Sequence, residues 1–174
     1  MIIAKEKTKK IIINSILVSL AVILSICDKL ISQIAFPFLP TAKIGLANII
    51  VIFSLYKYDF KDSLILVILK SVFVGLILGS VVTFVISFFS SLFSFFAMFI
   101  IKKLAKDKIS CVGISTVGGF IHIVVQLIIV SVLYQIKDAI IYYGFFLLLA
   151  SLVTSVIIGL ISNRLISNLN RINE

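Results

Sequence analysis

Residues 112–134 read VGISTVGGFIHIVVQLIIVSVLY. The stretch carries no Asp, Glu, Lys or Arg. As a helix it would extend roughly 35 Å, and a bilayer's hydrocarbon core, about 30 Å thick, takes about 20 apolar residues to cross. Charge returns on both sides, as KKLAKDK over 102–108 and QIKD over 135–138. The stretch therefore reads as a membrane-spanning helix. Working outward, five more apolar runs stand out: Ile11–Cys27, Ala42–Tyr56, Ser63–Ser80, Phe84–Ile101 and Ala139–Ile161. Asp28-Lys29, YKYDFKD over 56–62 and the Ser80–Thr83 turn separate them. The second run is short, so it is either extended by Ile31–Leu39 or does not cross straight. The expectation is an all-α membrane protein, with one membrane domain over residues 1–174 built as a bundle of about six transmembrane helices.

Composition points the same way. Of 174 residues, 61% are hydrophobic and 13% charged, with a mean hydropathy of +1.29. A soluble domain carries about a quarter charged residues. So much apolar surface cannot be hidden inside a chain this small, and lipid must cover the rest.

The net charge of +9 does not indicate nucleic acid. The basic residues sit in short segments between apolar runs, with no basic patch interleaved with stacking aromatics. They sort by topology instead. With the N-terminus inside, inner segments hold Lys5, Lys7, Lys9, Lys10, Lys57, Lys61, Lys102, Lys103, Lys106, Lys108, Arg164 and Arg171. Outer segments hold only Lys29, Lys43 and Lys137. The expected location is the cell membrane, multi-pass, with both termini cytoplasmic. Cys27 and Cys111 then fall at opposite faces, so no bridge between them is expected. Cys27 follows Ile26, which is too large for a small-residue cleavage site, so the first run reads as an uncleaved span.

Several polar residues fall inside the apolar runs. Lys70 lies in the third. A charge near the bilayer centre costs several kcal/mol unless it snorkels or is paired. Lys70 thus either reaches the inner interface or a polar neighbour, or it forms an anion site. His122 is the one histidine, and Gln126 follows one turn later on the same face. A lone core histidine is usually structural. A His–Gln pair in lipid needs partners inside the protein, and ligand contact is the alternative. Lys43 and Asn48 bracket the outer end of the second run, in PTAKIGLAN over 40–48. Together Lys43, Asn48, Lys70, His122 and Gln126 are consistent with one pocket of cationic character, suited to a ligand with a carboxylate or phosphate and an apolar body. Small residues mark close packing: Gly75 and Gly79 in the third run, Ser151, Ser155 and Gly159 in the sixth, Ser15 and Ser19 in the first. The Pro37 and Pro40 segment forms an apolar outer loop. It either lies in the interface or folds over the bundle as a lid.

The chain has no GxxxxGK[ST] phosphate loop, no HExxH, no GxSxG elbow and no cysteine–histidine metal cluster. No metal site, cofactor or catalytic group is expected, and active transport would need an external energy source.

The Pro40–Asn48 stretch, the basic Lys70 followed by Gly75–Ser80, and Gly118-Gly119-Phe120-Ile121-His122 with Gln126 resemble the Gx transporter family. Its members carry the label heptaprenyl diphosphate synthase component I. The resemblance covers roughly residues 11–165. Two positions depart from the family pattern: Ile123 where asparagine often follows the histidine, and Lys70 where the basic residue is often arginine. The family is similar to the substrate-binding S components of energy-coupling-factor transporters. That implies a six-helix binder of vitamin-like or related compounds, without its own ATPase. Its partners would be a transmembrane coupling protein and two ATPases. By the same resemblance, Ser15 and Ser19 would form a docking face for the coupling protein.

Three functions are expected in order. The first is a solute-binding transporter subunit for a vitamin-like or prenyl-linked anion, and not an enzyme. The second is an accessory membrane subunit of heptaprenyl diphosphate synthesis. The third is a structural membrane protein without a ligand. The synthase label fits the residues poorly. Prenyl diphosphate synthases hold magnesium and diphosphate on aspartate-rich motifs, and this chain's five aspartates include no adjacent pair.

Overall fold

In a computed structural model, the described residues are 2–35, 45–105, 108–135 and 137–172. They form six helices and no strand. These are α1 (Ile2–Ala35), α2 (Asn48–Lys57), α3 (Phe60–Leu78), α4 (Val81–Ala105), α5 (Cys111–Tyr134) and α6 (Lys137–Ile172). Four contain stretches long and apolar enough to cross a membrane: Thr8–Ile34, Val81–Ala105, Cys111–Tyr134 and Gly144–Asn168. Only 33–39% of each such stretch is buried, so most of its apolar surface faces outward. Ile34, Leu76, Val81, Leu104, Val132 and Phe145 are each more than half exposed. A surface this apolar is solvated by lipid, and the protein is membrane-embedded.

Short, locally specified turns set the order of the helices. Tyr58 and Asp59 alone separate α2 from α3, which makes the two antiparallel neighbours. Burial and the nearby Asp62 carboxylate push the Tyr58 phenol above its ordinary pKa, so it stays neutral. Gly79 ends α3 in the left-handed region at φ 59°, its N–H donating to the Leu76 carbonyl. That conformation suits glycine. Gly79 therefore caps a helix, and a Cβ added there would meet nothing within 4 Å, unlike the packing role its spacing suggested. Ser80 then accepts from the Thr83 N–H at 3.2 Å, and Ser110 caps α5 through the Gly113 N–H at 3.2 Å.

Through these turns α1, α3, α4, α5 and α6 pack as successive neighbours, and α2 touches all five. Among the described residues α1 and α6 do not meet, so α2 bridges them. Asn48 and every residue from Ile50 to Leu55 are buried. A helix that is apolar all round belongs in an interior, and α2 is the bundle's central element. At its C-terminal end Lys102 of α4 donates to the Leu55 carbonyl at 2.5 Å and lies 4.3 Å from the Tyr56 ring centroid. This satisfies one of the carbonyls a helix end leaves open.

Glycine and serine bring the outer helices close. A Cβ at Gly159 would lie 2.6 Å from the Val112 Cα, one at Gly119 would meet the Ser155 side chain, and one at Gly118 would lie 2.5 Å from the Met98 Sδ. So Gly118 fits α5 to α4, while Gly119, Ser155 and Gly159 fit α5 to α6. Gly75 similarly admits Phe84. The aromatic run of α4 divides: Phe95 is fully buried and stacks with Phe60 and Phe99, whereas Phe93 is 52% exposed.

The first helix corrects the sequence reading. Asp28-Lys29 does not end it. Nothing from Lys29 to Ala35 breaks a helix, and α1 runs through both residues to Ala35. The loop carrying Pro37 and Pro40 lies outside the described residues.

Candidate functional site

Four interhelical hydrogen bonds fix the relative depth of the helices. Ser54 of α2 donates to Ser63 of α3 at 2.9 Å, and Lys70 of α3 donates to Ser91 of α4 at 3.0 Å. Ser94 of α4 donates to the Gly118 carbonyl of α5, and Ser115 of α5 to the Ser155 carbonyl of α6, both at 2.7 Å. Counting along antiparallel helices from these points brings the candidates together. Asn48 is six residues from Ser54, about 9 Å at helical rise, which is the level of Leu69–Lys70. His122 is four residues beyond Gly118 and Ser90 four before Ser94, so His122 stands level with Ser90–Ser91. Asn48, Lys70 and His122 thus occupy one layer, with Gln126 a turn above it. Lys70 lies about 15 Å along α3 from Phe60, half of the roughly 30 Å core thickness.

All four are buried: Asn48 is 6% exposed, Lys70 2%, His122 5% and Gln126 2%. Lys70 therefore does not snorkel. Its ammonium is held inside the bundle by the Ser91 hydroxyl. None of Lys70, His122 and Gln126 is without a partner. Lys43, the fifth candidate, lies outside the described residues.

The layer sits where α2 begins. The central helix starts at Asn48, about halfway through the bundle, and the N–H groups of Asn48, Ile49 and Ile50 donate to the carbonyls of Gly45, Leu46 and Ala47 in the turn before it. Gly45, at φ 97°, turns the chain into α2 and is buried. Its N–H donates to both carboxylate oxygens of Asp28, at 3.1 and 3.0 Å. Non-helical backbone at membrane depth persists only where protein or a cavity satisfies it, and Asp28 does so here. Sequence reasoning missed this residue, placing every acid at a loop or helix end. Asp28 is 2% exposed and sits inside α1. The available signal was the unbroken helix-compatible run from Lys29 to Ala35. Also missed was a polar face of α4, where Ser87, Ser90, Ser91 and Ser94 recur at helical spacing and are all buried.

Ser15 and Ser19 stand apart from this layer. Both are exposed, and each hydroxyl donates at 2.9 Å to the carbonyl four residues earlier. They line a groove of about 910 Å³ between α1 and α3, whose other walls include Val22, Leu69 and Phe73. At one end of it Lys10 pairs with Asp62 at 2.6 Å and Asp59 at 3.1 Å. The cysteines are unpaired, and no cluster of metal-binding side chains occurs among the described residues.

Comparison with curated proteins and with solved structures finds no match. The family model for heptaprenyl diphosphate synthase component I matches residues 17–165. That range runs from α1 to α6 and takes in Asp28, Asn48, Lys70, the α4 serines, His122 and Gln126. On this match the chain belongs to the heptaprenyl diphosphate synthase component I family.

Proposed function

We propose that this chain is the substrate-binding membrane subunit of a transporter, similar to the S components of energy-coupling-factor systems. All six helices enter the bilayer, α2 as a central half-helix, with both termini cytoplasmic. The ligand is a small vitamin-like or prenyl-linked molecule with an anionic group. Asn48, Lys70, His122 and Gln126 contact it, and Lys43 is the fifth contact that the sequence suggests. The observation that carries this reading is a buried ammonium, Lys70, level with the N-terminal end of a helix that begins at mid-depth. Half-helix N-termini in transporters point at anionic substrate groups, and Lys70 supplies a full charge there. The chain has no nucleotide-binding loop, so a coupling protein and two ATPases would supply the energy. The α1–α3 groove at Ser15 and Ser19 is the docking face.

The test is gentle extraction of the tagged protein, with co-purifying chains identified by native mass spectrometry. A transmembrane coupling subunit with ATPases is the expected outcome. A chain that purifies alone, or with a soluble prenyl synthase, would contradict it. A soluble prenyl synthase partner would instead fit an accessory role in heptaprenyl diphosphate synthesis, the role that the family description names. In that case the purified pair should make longer prenyl chains than the soluble partner alone. Orientation has its own check. A cysteine placed in either tail should resist an impermeant thiol reagent in intact cells and react after lysis.

A further inference from the structure

We propose that the serine face of α4, formed by Ser87, Ser90 and Ser91 beside Lys70, is the oxyanion-binding wall of the site. The proposal rests on reading the mid-depth layer as a ligand pocket, and it names the ligand's recognised group as a carboxylate or phosphate held by hydroxyl donors.

Ser90 is the first observation. It is 0% exposed, and its hydroxyl makes no hydrogen bond. Three other buried serines of this bundle bond to the carbonyl four residues earlier: Ser25 to Ala21 at 2.8 Å, Ser71 to Val67 at 3.0 Å, Ser155 to Ser151 at 2.6 Å; Ser32 on α1 and Ser162 on α6 share the open hydroxyl of Ser90 but lie away from Lys70. That local bond is open to any helical serine, and Ser90 does not take it. The second observation is direction. On the same face, Ser91 accepts from Lys70 on α3 and Ser94 donates to Gly118 on α5. At about 100° per residue Ser90 lies about 40° past Ser94 on the side away from Ser91, and it is fully buried, so it faces α5 at the level of His122. The third is charge. Hydroxyl donors ranged beside a buried ammonium match an anion whose several oxygens each accept a hydrogen bond.

The test needs no knowledge of the ligand. Single cysteines replace Ser87, Ser90, Ser91, Ser94 or the exposed Phe89 in the full chain carrying Cys27→Ser and Cys111→Ala, reconstituted in liposomes. Each is treated with an anionic sulfonatoethyl or a cationic trimethylammonium-ethyl methanethiosulfonate. Rates are divided by those for a free thiol. Ser90→Cys should react at least tenfold faster with the anionic reagent on this scale. Adding Lys70→Gln should abolish the preference, and Ser94→Cys should stay inert. Ser87→Cys carries the same expectation if Ser90→Cys fails to insert. A Ser90→Cys thiol that reacts only after unfolding in dodecyl sulfate, or shows no anion preference, would overturn the proposal. The transporter reading fails separately. Anion-selective labelling in a protein that never co-purifies with coupling subunits would leave the wall standing and that reading refuted. An inert Ser90→Cys in a protein that retains those subunits would do the reverse.

Discussion

Replacing Gly159 by alanine should push α6 away from α5. The new Cβ would lie 2.6 Å from the Val112 Cα, 3.0 Å from the Ser115 Cβ and 3.3 Å from the Val112 Cβ. Carbon atoms pack at about 3.5–4.0 Å, so the helices must separate by about 1 Å. The nearest atom is backbone and cannot rotate aside. One turn away, the 2.7 Å bond from Ser115 to the Ser155 carbonyl would stretch past hydrogen-bonding range. Overpacking costs about 1–3 kcal/mol, and an interhelical bond in a membrane protein contributes about 0.6 kcal/mol. Alanine's helix preference returns about 1 kcal/mol. The net loss is roughly 0.6–2.6 kcal/mol, or about 1–10 °C in melting temperature for a chain of this size. The buried thiol of Cys111 is the reporter. In a Cys27→Ser background, a thiol-reactive dye becomes fluorescent as α5 is exposed on heating. Gly113→Ala is the control. Its Cβ would lie 2.8 Å from the Cγ2 of Ile109, a side chain exposed enough to rotate aside, and 3.8 Å from the Ser110 Oγ, so the melt should fall by less than in Gly159→Ala. A Gly159→Ala melt at or above the parent's would refute the close approach of α5 and α6.

Two further outcomes are expected in the same assay. Asp28→Ala strands the buried Gly45 N–H and should cost about 1–3 kcal/mol, while Asp28→Asn keeps an acceptor and should cost less; equal loss would mean the charge, not the hydrogen bond, matters. Lys102→Met removes the donor at the Leu55 carbonyl and the contact with Tyr56, and should lower stability by about 1 kcal/mol; an unchanged melt would show that the C-terminal end of α2 needs no tether.

The helices of the third, fourth and fifth apolar runs were legible to within a few residues at each end, because glycine, serine and charge punctuate them. Lys70, His122 and Gln126 were legible as buried because a polar side chain inside an apolar run must find partners in the protein. The end of α1 was not. Hydropathy treats Asp28 as a boundary, but its charge is satisfied by an N–H sixteen residues past Lys29, at Gly45, and that contact exists only in three dimensions. The shortness of α2 was visible, while its central position was not, since a short apolar run reads alike at the edge or the axis of a bundle. The α4 serines were hidden by the phenylalanines interleaved with them. Their alignment shows only when 87, 90, 91 and 94 are placed on one helical face.

The central claim is that the buried layer around Lys70 holds a small anion. Native mass spectrometry of gently extracted wild type and Lys70→Met, each first shown folded by protection of the Cys111 thiol, tests it most directly. The account predicts a small anionic adduct on the wild type that is lost from Lys70→Met. The same adduct on both proteins, or on neither, would contradict it.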